Sequence, residues 1–306
     1  MPEQHTTTEP ADLGSVAFLG LGIMGSRMAA NLARAGVRLS VWTHSPGKAE
    51  RWASEHGATA AATPAEAAAG SDIVVSMVVD GAQVSSVLLG ENGVVEAARP
   101  GLLCVDMSTI GPTDARAIGA TLADRGVRML DAPVTGSSPR AEDGSLTIMA
   151  GGEREDFERT RPLFEVMGSL VVHVGELGQG QMLKLINNSV AAANAAAVAE
   201  ARVLADATGL DLDAFVEVVS SGSGGSTALE LKSTAMREHD YTTLFKTAHM
   251  LKDVRLCLDE AQEAGAPFAS AAHARDLLTA AMGRGHGDED FAAMIEAAEG
   301  LAGRRL

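Results

Sequence analysis

Three glycines in the order Gly20-Leu21-Gly22-Ile23-Met24-Gly25 stand between a short apolar run, Val16-Ala17-Phe18-Leu19, and an amphipathic stretch, Met24 to Ala35. Strand, glycine turn and helix in that order give each glycine a distinct task. Gly20 permits the tight turn, Gly22 lets a pyrophosphate approach the backbone, and Gly25 lets the helix pack on the strand. The N–H groups that open the helix then face an anion. Isolated G-x-G-x-x-G patterns arise by chance in a chain with 33 glycines. The flanking strand and helix are what make Gly20, Leu21, Gly22, Ile23, Met24 and Gly25 a candidate dinucleotide loop.

The same alternation continues through the first half, where short β-branched runs are separated by helical patterns, as in a parallel sheet wound by crossover helices. Strands are expected at Val16 to Leu19, Leu39 to Trp42, Ile73 to Met77, Leu102 to Asp106, Arg128 to Leu130, Thr147 to Ala150 and Leu170 to Val174. Thr63-Pro64-Ala65-Glu66 offers a capping hydroxyl, a proline at the first helical position and a glutamate three residues after the cap, so a helix starts there. Pro112 opens another. From Gly178 the strand signals stop. Gln181 to Thr208 has no Gly or Pro and predicts one helix of roughly 40 Å, with Ala191, Ala195 and Ala199 small enough for another helix to approach.

Helices are further expected at Leu212 to Val219, Ala228 to Arg237, Leu244 to Gly265, Phe268 to Met282 and Asp290 to Ala298, with Ser220 to Ser226 a flexible connection. The expected fold is α/β, an N-terminal Rossmann-type doubly wound sheet joined by a long helix to a C-terminal all-α domain. Residues 1–13 read as a disordered tail, 14–177 as an NAD(P)-binding domain and 178–306 as an all-helical substrate and dimerisation domain.

Charge narrows the partners. There are 24 Lys plus Arg against 40 Asp plus Glu, a net charge of −16, with no basic cluster that would track nucleic acid. An anionic ligand must therefore be held by local donors against an unfavourable overall field. The polar N-terminus lacks the apolar core of an export signal, and no apolar run approaches the roughly 20 residues of a membrane span, so a soluble cytoplasmic protein is expected. Cys104 and Cys257 show no paired spacing and read as buried free thiols. The eight histidines form no metal motif, and neither a nucleophile elbow nor a Walker loop is present.

The end of the second strand selects between the two nicotinamide dinucleotides, since a carboxylate there suits a ribose 2′-hydroxyl and donors suit a 2′-phosphate. The chain reads Trp42-Thr43-His44-Ser45-Pro46-Gly47-Lys48. With Thr43, His44, Ser45 and Lys48 and no acid, NADP is favoured and NAD remains possible. Farther on, Lys184 and Asn188 stand four apart among Met182, Leu183, Leu185 and Ile186, so an amine and an amide share one helix face in apolar surroundings. Such surroundings favour a lowered amine pKa, which suits proton transfer.

With these pieces assembled the chain resembles the β-hydroxyacid dehydrogenase family, which includes 3-hydroxyisobutyrate dehydrogenase, tartronate semialdehyde reductase and glyoxylate/succinic semialdehyde reductase. The likeness rests on the glycine loop, Asp106-Met107-Ser108-Thr109-Ile110, Asp131-Ala132-Pro133-Val134-Thr135-Gly136, Gly178 to Asn188, and Phe245 through Lys252-Asp253. It implies that Lys184 is the general acid or base and Asn188 its catalytic neighbour. It implies a substrate pocket of Ser108, Thr135, Gly136, Ser137, Lys184, Asn188, Phe245 and Asp253, with Thr109 and Lys252 beside the cofactor. Read locally, Ser108 and Thr109 serve equally well as a helix cap, Phe245 as core and Lys252-Asp253 as a charged helix face.

One departure stands out: the family reads Ser-Gly-Gly where this chain has Thr135-Gly136-Ser137, which keeps a hydroxyl and leaves backbone amides for an anion. The continuation Ser138 to Gly144 resembles the glyoxylate/succinic semialdehyde reductases. 6-Phosphogluconate dehydrogenases would carry histidine at Asn187, which disfavours decarboxylation. The resemblance implies an NAD(P)-dependent reductase that interconverts a small carboxylate-bearing aldehyde and its hydroxy acid, working as a homodimer or homotetramer. An imine reductase on the same architecture and an NADPH-binding sensor without turnover are the alternatives.

Overall fold

The computed structural model describes residues 14–306, so the expected tail at 1–13 lies outside the described residues. Two compact units divide at Lys184 and Leu185. Unit 1 contains a nine-stranded sheet in the order β3-β2-β1-β4-β5-β6-β8-β7, with β9 paired to β8. The strands are β1 (Ser15–Leu19), β2 (Arg38–Trp42), β3 (Thr59–Ala60), β4 (Ile73–Ser76), β5 (Leu103–Asp106), β6 (Arg128–Asp131), β7 (Val134–Thr135), β8 (Leu146–Gly151) and β9 (Gly168–Gly175). From β3 to β6 every pairing is parallel, and the order 3-2-1-4-5-6 is that of the dinucleotide-binding fold. β8 then runs antiparallel to both β6 and β7.

Period-two alternation along these strands explains why both sheet faces are covered. Val16, Phe18, Val41, Val75, Val105 and Leu130 pack on one face with residues of α1 (Ile23–Arg34), α2 (Lys48–His56) and α7 (Arg154–Met167). Ala17, Leu19, Val74 and Cys104 point the other way, against α3 (Pro64–Ala68), α4 (Gly81–Leu89) and α5 (Pro112–Ala123). Each of the valine, leucine and phenylalanine side chains among these, fully buried, stabilises by about 1.5–3 kcal/mol. The cap expected at Thr63 is present, its hydroxyl accepting from Glu66 N–H at 3.0 Å. The short strands β3 and β7 and the seven-residue α6 (Ser137–Asp143) lay outside the sequence expectation. Cys104 and Cys257 are buried free thiols.

A single helix, α8 (Gln179–Ala207), carries the chain across the division. Its first turn belongs to unit 1, seven residues past the expected boundary, because Gly178 and Gln181 are hydrogen-bonded to Asp131. Unit 2 adds α9 (Leu212–Ser221), α10 (Thr227–Glu238), α11 (Thr247–Glu263), α12 (Ala269–Gly283) and α13 (Ile295–Ala302), preceded by a 3-10 turn at Phe291–Met294. Its core includes Ala195 and Ala199 together with Leu229, Met250, Val254, Leu278 and Ile295, so the small-residue face is filled by this unit's own helices.

Two expectations need correcting here. α11 starts at Thr247, three residues later than Leu244, because Lys246 is held extended at ψ 140° by an antiparallel bridge to Asp290. The Ser220–Ser226 stretch is only partly a connection: α9 runs through Ser221, and Ser226 caps α10 by accepting from Leu229 N–H. Among the described residues no helix is long and apolar enough to cross a membrane.

Candidate active site

The glycine loop follows β1, at the point where the strand order reverses, which is where ligands collect in such sheets. Gly20 has φ +110°, and a Cβ there would collide with the Met77 carbonyl. A Cβ on Gly25 would collide with the Gly20 carbonyl oxygen, so the helix lies directly on the turn. Gly22 is different: nothing lies within 4 Å of where its Cβ would be, and Ile23 beside it is exposed. Leu21 is buried and Met24 half-buried. α1 opens at Gly22 with no side-chain cap and no acid in its first turn. Unfilled N–H groups beside an open glycine form a cradle that fits a pyrophosphate.

Gly20 N–H donates to the Trp42 carbonyl at 2.8 Å, which ties this loop to the end of β2. There Thr43 is half-buried while His44 and Ser45 are exposed, and a turn from Ser45 carbonyl to Lys48 N–H places Lys48 at the start of α2. These four donors thus sit together at the strand end, next to the cradle.

A buried polar network joins the carboxyl ends of β4, β5 and β6 to the start of α8. Asp131 accepts from Gly178 N–H through Oδ1 and from Gln181 N–H through Oδ2, each at 2.7 Å. It acts as a helix cap delivered from a distant strand, and each charge-assisted bond is worth about 2 kcal/mol. Burial nevertheless raises its carboxyl pKa, opposed by these N–H donors. The Gln181 amide spans the next gap, donating to the Ser108 carbonyl at 2.8 Å and accepting from Ile110 N–H at 3.1 Å.

Asp106, register partner of Asp131, takes a bond from the Ser76 hydroxyl at 2.7 Å. Burial lifts its pKa to about 6 even though Ser108 and Ser76 both hydrogen-bond to it. Ser108 itself is 0% exposed, and its hydroxyl accepts from Val78 N–H at 2.9 Å. The Ser108 side chain thus ties the ends of β4 and β5 together and does not cap α5, whose N-cap is Gly111 with no side-chain bond. Thr109, next to it, is half-buried.

Lys184 lies one turn beyond Gln181 on α8 and is 7% exposed. Asn188 follows one turn later, 5% exposed, and its amide has a fixed polarity. Its Nδ2 donates to Asp253 Oδ2 at 2.7 Å, and its Oδ1 accepts from Asn187 Nδ2 at 3.1 Å. The Asp253 carboxylate, buried on α11, also meets the Lys252 ammonium at 3.2 Å. Asn188, Lys252 and Asp253 are thus brought together in unit 2. Phe245 belongs to the same unit, half-buried, with its ring edge-on to Phe291 and His249.

Thr135 ends β7 at the edge of the sheet, and Gly136 and Ser137 open α6, which packs on α1, the helix that follows the glycine loop, with Arg27 Nε donating to Glu142 at 2.8 Å. Ser137 occupies the left-handed region at φ +59°, the position where the family has glycine and a conformation that strains an L residue. One trio of potential metal ligands occurs among the described residues, His239, Glu296 and Glu299 in unit 2. Its atoms are already engaged, His239 Nε2 with Glu299 at 3.0 Å and Glu296 with the Tyr241 hydroxyl at 3.0 Å.

Asp131, Gln181, Asp106 and Ser76 escaped the sequence reading as site residues. The available signal was a carboxylate ending each of two apolar strands, since a buried charge demands partners.

A Rossmann-ordered sheet with a glycine cradle at its switch point, followed by a helix bearing a buried amine, defines a dinucleotide-dependent oxidoreductase. The comparisons agree. Residues 15–175 match the family described as the NAD binding domain of 6-phosphogluconate dehydrogenase. Residues 178–298 match that described as NAD-binding of NADP-dependent 3-hydroxyisobutyrate dehydrogenase. Glyoxylate/succinic semialdehyde reductase 2 of Arabidopsis thaliana is 36% identical, over 98% of this chain and 85% of the relative. 2-Hydroxy-3-oxopropionate reductase of Escherichia coli is also 36% identical, over 95% and 99% respectively. Among solved structures, Mycobacterium tuberculosis 3-hydroxyisobutyrate dehydrogenase with L-serine superposes with a TM-score of 0.85 at 35% identity, covering 93% of this chain and 98% of that one.

The chain belongs to the β-hydroxyacid dehydrogenase family. It is an NAD(P)-dependent oxidoreductase acting on CH–OH groups.

Proposed function

We propose that this enzyme prefers NADPH and reduces a small carboxylate-bearing aldehyde, of the glyoxylate, succinic semialdehyde or methylmalonate semialdehyde type, to its hydroxy acid. Lys184 is its general acid. The observation that carries this reading is the placement of Lys184: an amine withdrawn from water, one turn after a helix start clamped by Asp131 and one turn before the oriented amide of Asn188. The cradle at Gly20, Gly22 and Gly25 holds the pyrophosphate. Thr43, His44, Ser45 and Lys48 receive the 2′-phosphate, and Thr109 and Lys252 flank the cofactor. When bound, the nicotinamide supplies a hydride to the carbonyl carbon.

The residues of the chain do the rest. As negative charge develops on the carbonyl oxygen, the Lys184 ammonium stabilises it and then gives up its proton, a role worth about 10²–10⁴-fold in rate. In the oxidation direction the neutral amine takes the proton back. Asn188, its amide pinned by Asp253 and Asn187, orients the substrate hydroxyl or carboxylate. Phe245 supplies an apolar wall, and the backbone around Thr135, Gly136 and Ser137 receives the carboxylate. Ser108 is the remaining residue of the substrate pocket, its hydroxyl held by Val78 N–H.

Replacing Lys184 by Ala is expected to lower kcat at least about 100-fold with NADPH affinity unchanged, as measured by nicotinamide absorbance and by titration. Unchanged turnover would remove the assignment. A spectrophotometric panel of glyoxylate, succinic semialdehyde, methylmalonate semialdehyde and tartronate semialdehyde, each with NADPH and NADH, names the substrate. Turnover of cyclic imines alone would favour the imine reductase alternative, and NADPH binding without any turnover the sensor.

The working form is a cytoplasmic homodimer or homotetramer. Leu183, Ile186 and Val190 form a stripe 38–44% exposed along α8, which a second copy would cover. A monomer mass by light scattering would exclude that assembly.

A further inference from the structure

Within unit 2, far along α8 from Asn188, a guanidinium lacks an acceptor. Arg202 is 1% exposed, and its Nη1 donates to the Ser233 hydroxyl of α10. Its Nε and Nη2 are buried with no hydrogen-bond partner. In a planar guanidinium these two nitrogens share one edge, the edge that grips a carboxylate through two parallel hydrogen bonds. Burial lowers the pKa of this group, with Arg237 adding to the effect, yet an arginine stays charged at neutral pH. A buried cation with two open donors is costly unless an acceptor arrives from outside.

A cavity adjoins this side chain, and an acceptor in it meets the Nε and Nη2 edge once the covering side chains shift. Arg202 lines a cavity of about 340 Å³ bounded by Asp213 and Glu217 of α9 and by Glu230, Ser233 and Arg237 of α10, a volume at the small end of ligand pockets. Asn188 lies 14 residues back on the same helix, roughly 21 Å at 1.5 Å per residue, so this cavity is not part of the site around Asn188. Of its charges, Arg237 and Asp213 cancel as an ion pair at 2.7 Å. What remains is a buried cation, Arg202, and two exposed carboxylates, Glu217 and Glu230. A dianion such as phosphate would meet those carboxylates, and a plain cation would meet the guanidinium.

We propose that this cavity binds a small zwitterionic amino acid, its carboxylate on the Nε and Nη2 edge of Arg202 and its ammonium toward Glu217 and Glu230. Such a ligand bridges α8, α9 and α10. It would fasten α9, a helix with no fully buried residue of its own.

The test uses the full chain and three molecules of matched size: L-alanine, propionate, which lacks the amine, and ethylamine, which lacks the carboxylate. Ligand-observed NMR titration and thermal unfolding are expected to show saturable binding of L-alanine with a raised melting temperature, and binding at least about tenfold weaker for the other two. Arg202→Met is expected to weaken L-alanine at least about tenfold, whereas Lys184→Ala leaves it unchanged, which separates this cavity from the reaction site. Should Arg202→Met fail to fold, the exposed pair Glu217→Gln with Glu230→Gln is expected to weaken L-alanine while sparing propionate.

Three results would each overturn the proposal. One is no saturable L-alanine binding. Another is binding undiminished in these cavity variants, or propionate binding as tightly as L-alanine. The last is an Arg202→Met chain that changes its mass in light scattering without any change in L-alanine affinity, which would make the missing acceptor a carboxylate of a second copy.

Discussion

Asp131 accepts two bonds at the start of α8, from Gly178 N–H and from Gln181 N–H. Asparagine in its place keeps one acceptor but turns an NH2 toward the other N–H, leaving a buried donor unpaired at a cost of about 1–3 kcal/mol. Asp131→Asn is therefore expected to lower the unfolding free energy extrapolated from urea melts by that amount. It is also expected to reduce kcat more than it raises the KM for NADPH, since the glycine loop is untouched; equal effects on both would argue for a general loss of structure. Lys184 and Asn188 were legible in the sequence because spacing on one helix is a local property. Asp131 was not, since its partners lie 47 and 50 residues away and buried charge has no periodicity. Ser108 was legible only as a position at a strand end.

At the scale of elements, the glycine loop separates two kinds of constraint. Gly25→Ala drives a Cβ into the Gly20 carbonyl and is expected to destabilise unit 1, whereas Gly22→Ala meets open space and should leave the melting temperature nearly unchanged. If the cradle holds a pyrophosphate, Gly22→Ala instead weakens NADPH binding about tenfold or more, and unaltered affinity by fluorescence titration would contradict that use of the loop. The strands with β-branched alternation and the long alanine-rich helix were readable from period alone. β7 and α6 were not, because two paired residues and a seven-residue helix fall below the length at which a period can be recognised. The late start of α11 was hidden for another reason: Lys246 is held extended by a bridge to Asp290, a residue far along the chain.

For the whole molecule, buried acids make stability depend on pH. Asp106 is lifted to about 6 from an ordinary 3.8, so between about pH 4 and 6 the folded chain holds a proton that the unfolded chain has released. Its stabilising contribution is complete below pH 4 and disappears as pH rises through 6, a change on the order of 3 kcal/mol at most. Denaturant unfolding of the wild type should therefore weaken across that window, and Asp106→Asn should flatten the slope; an identical slope would place the titration elsewhere. The division of the chain has a consequence of another kind. The clamp that fixes the phase of α8 grips it just before Lys184, while the amide of Asn188 is steadied from α11, encoded some 65 residues later. On the roles proposed for Lys184 and Asn188, aim and selectivity would be inherited from separate stretches of gene, so a lineage could trade one carbonyl compound for another by altering the later stretch without disturbing the direction in which its proton is delivered.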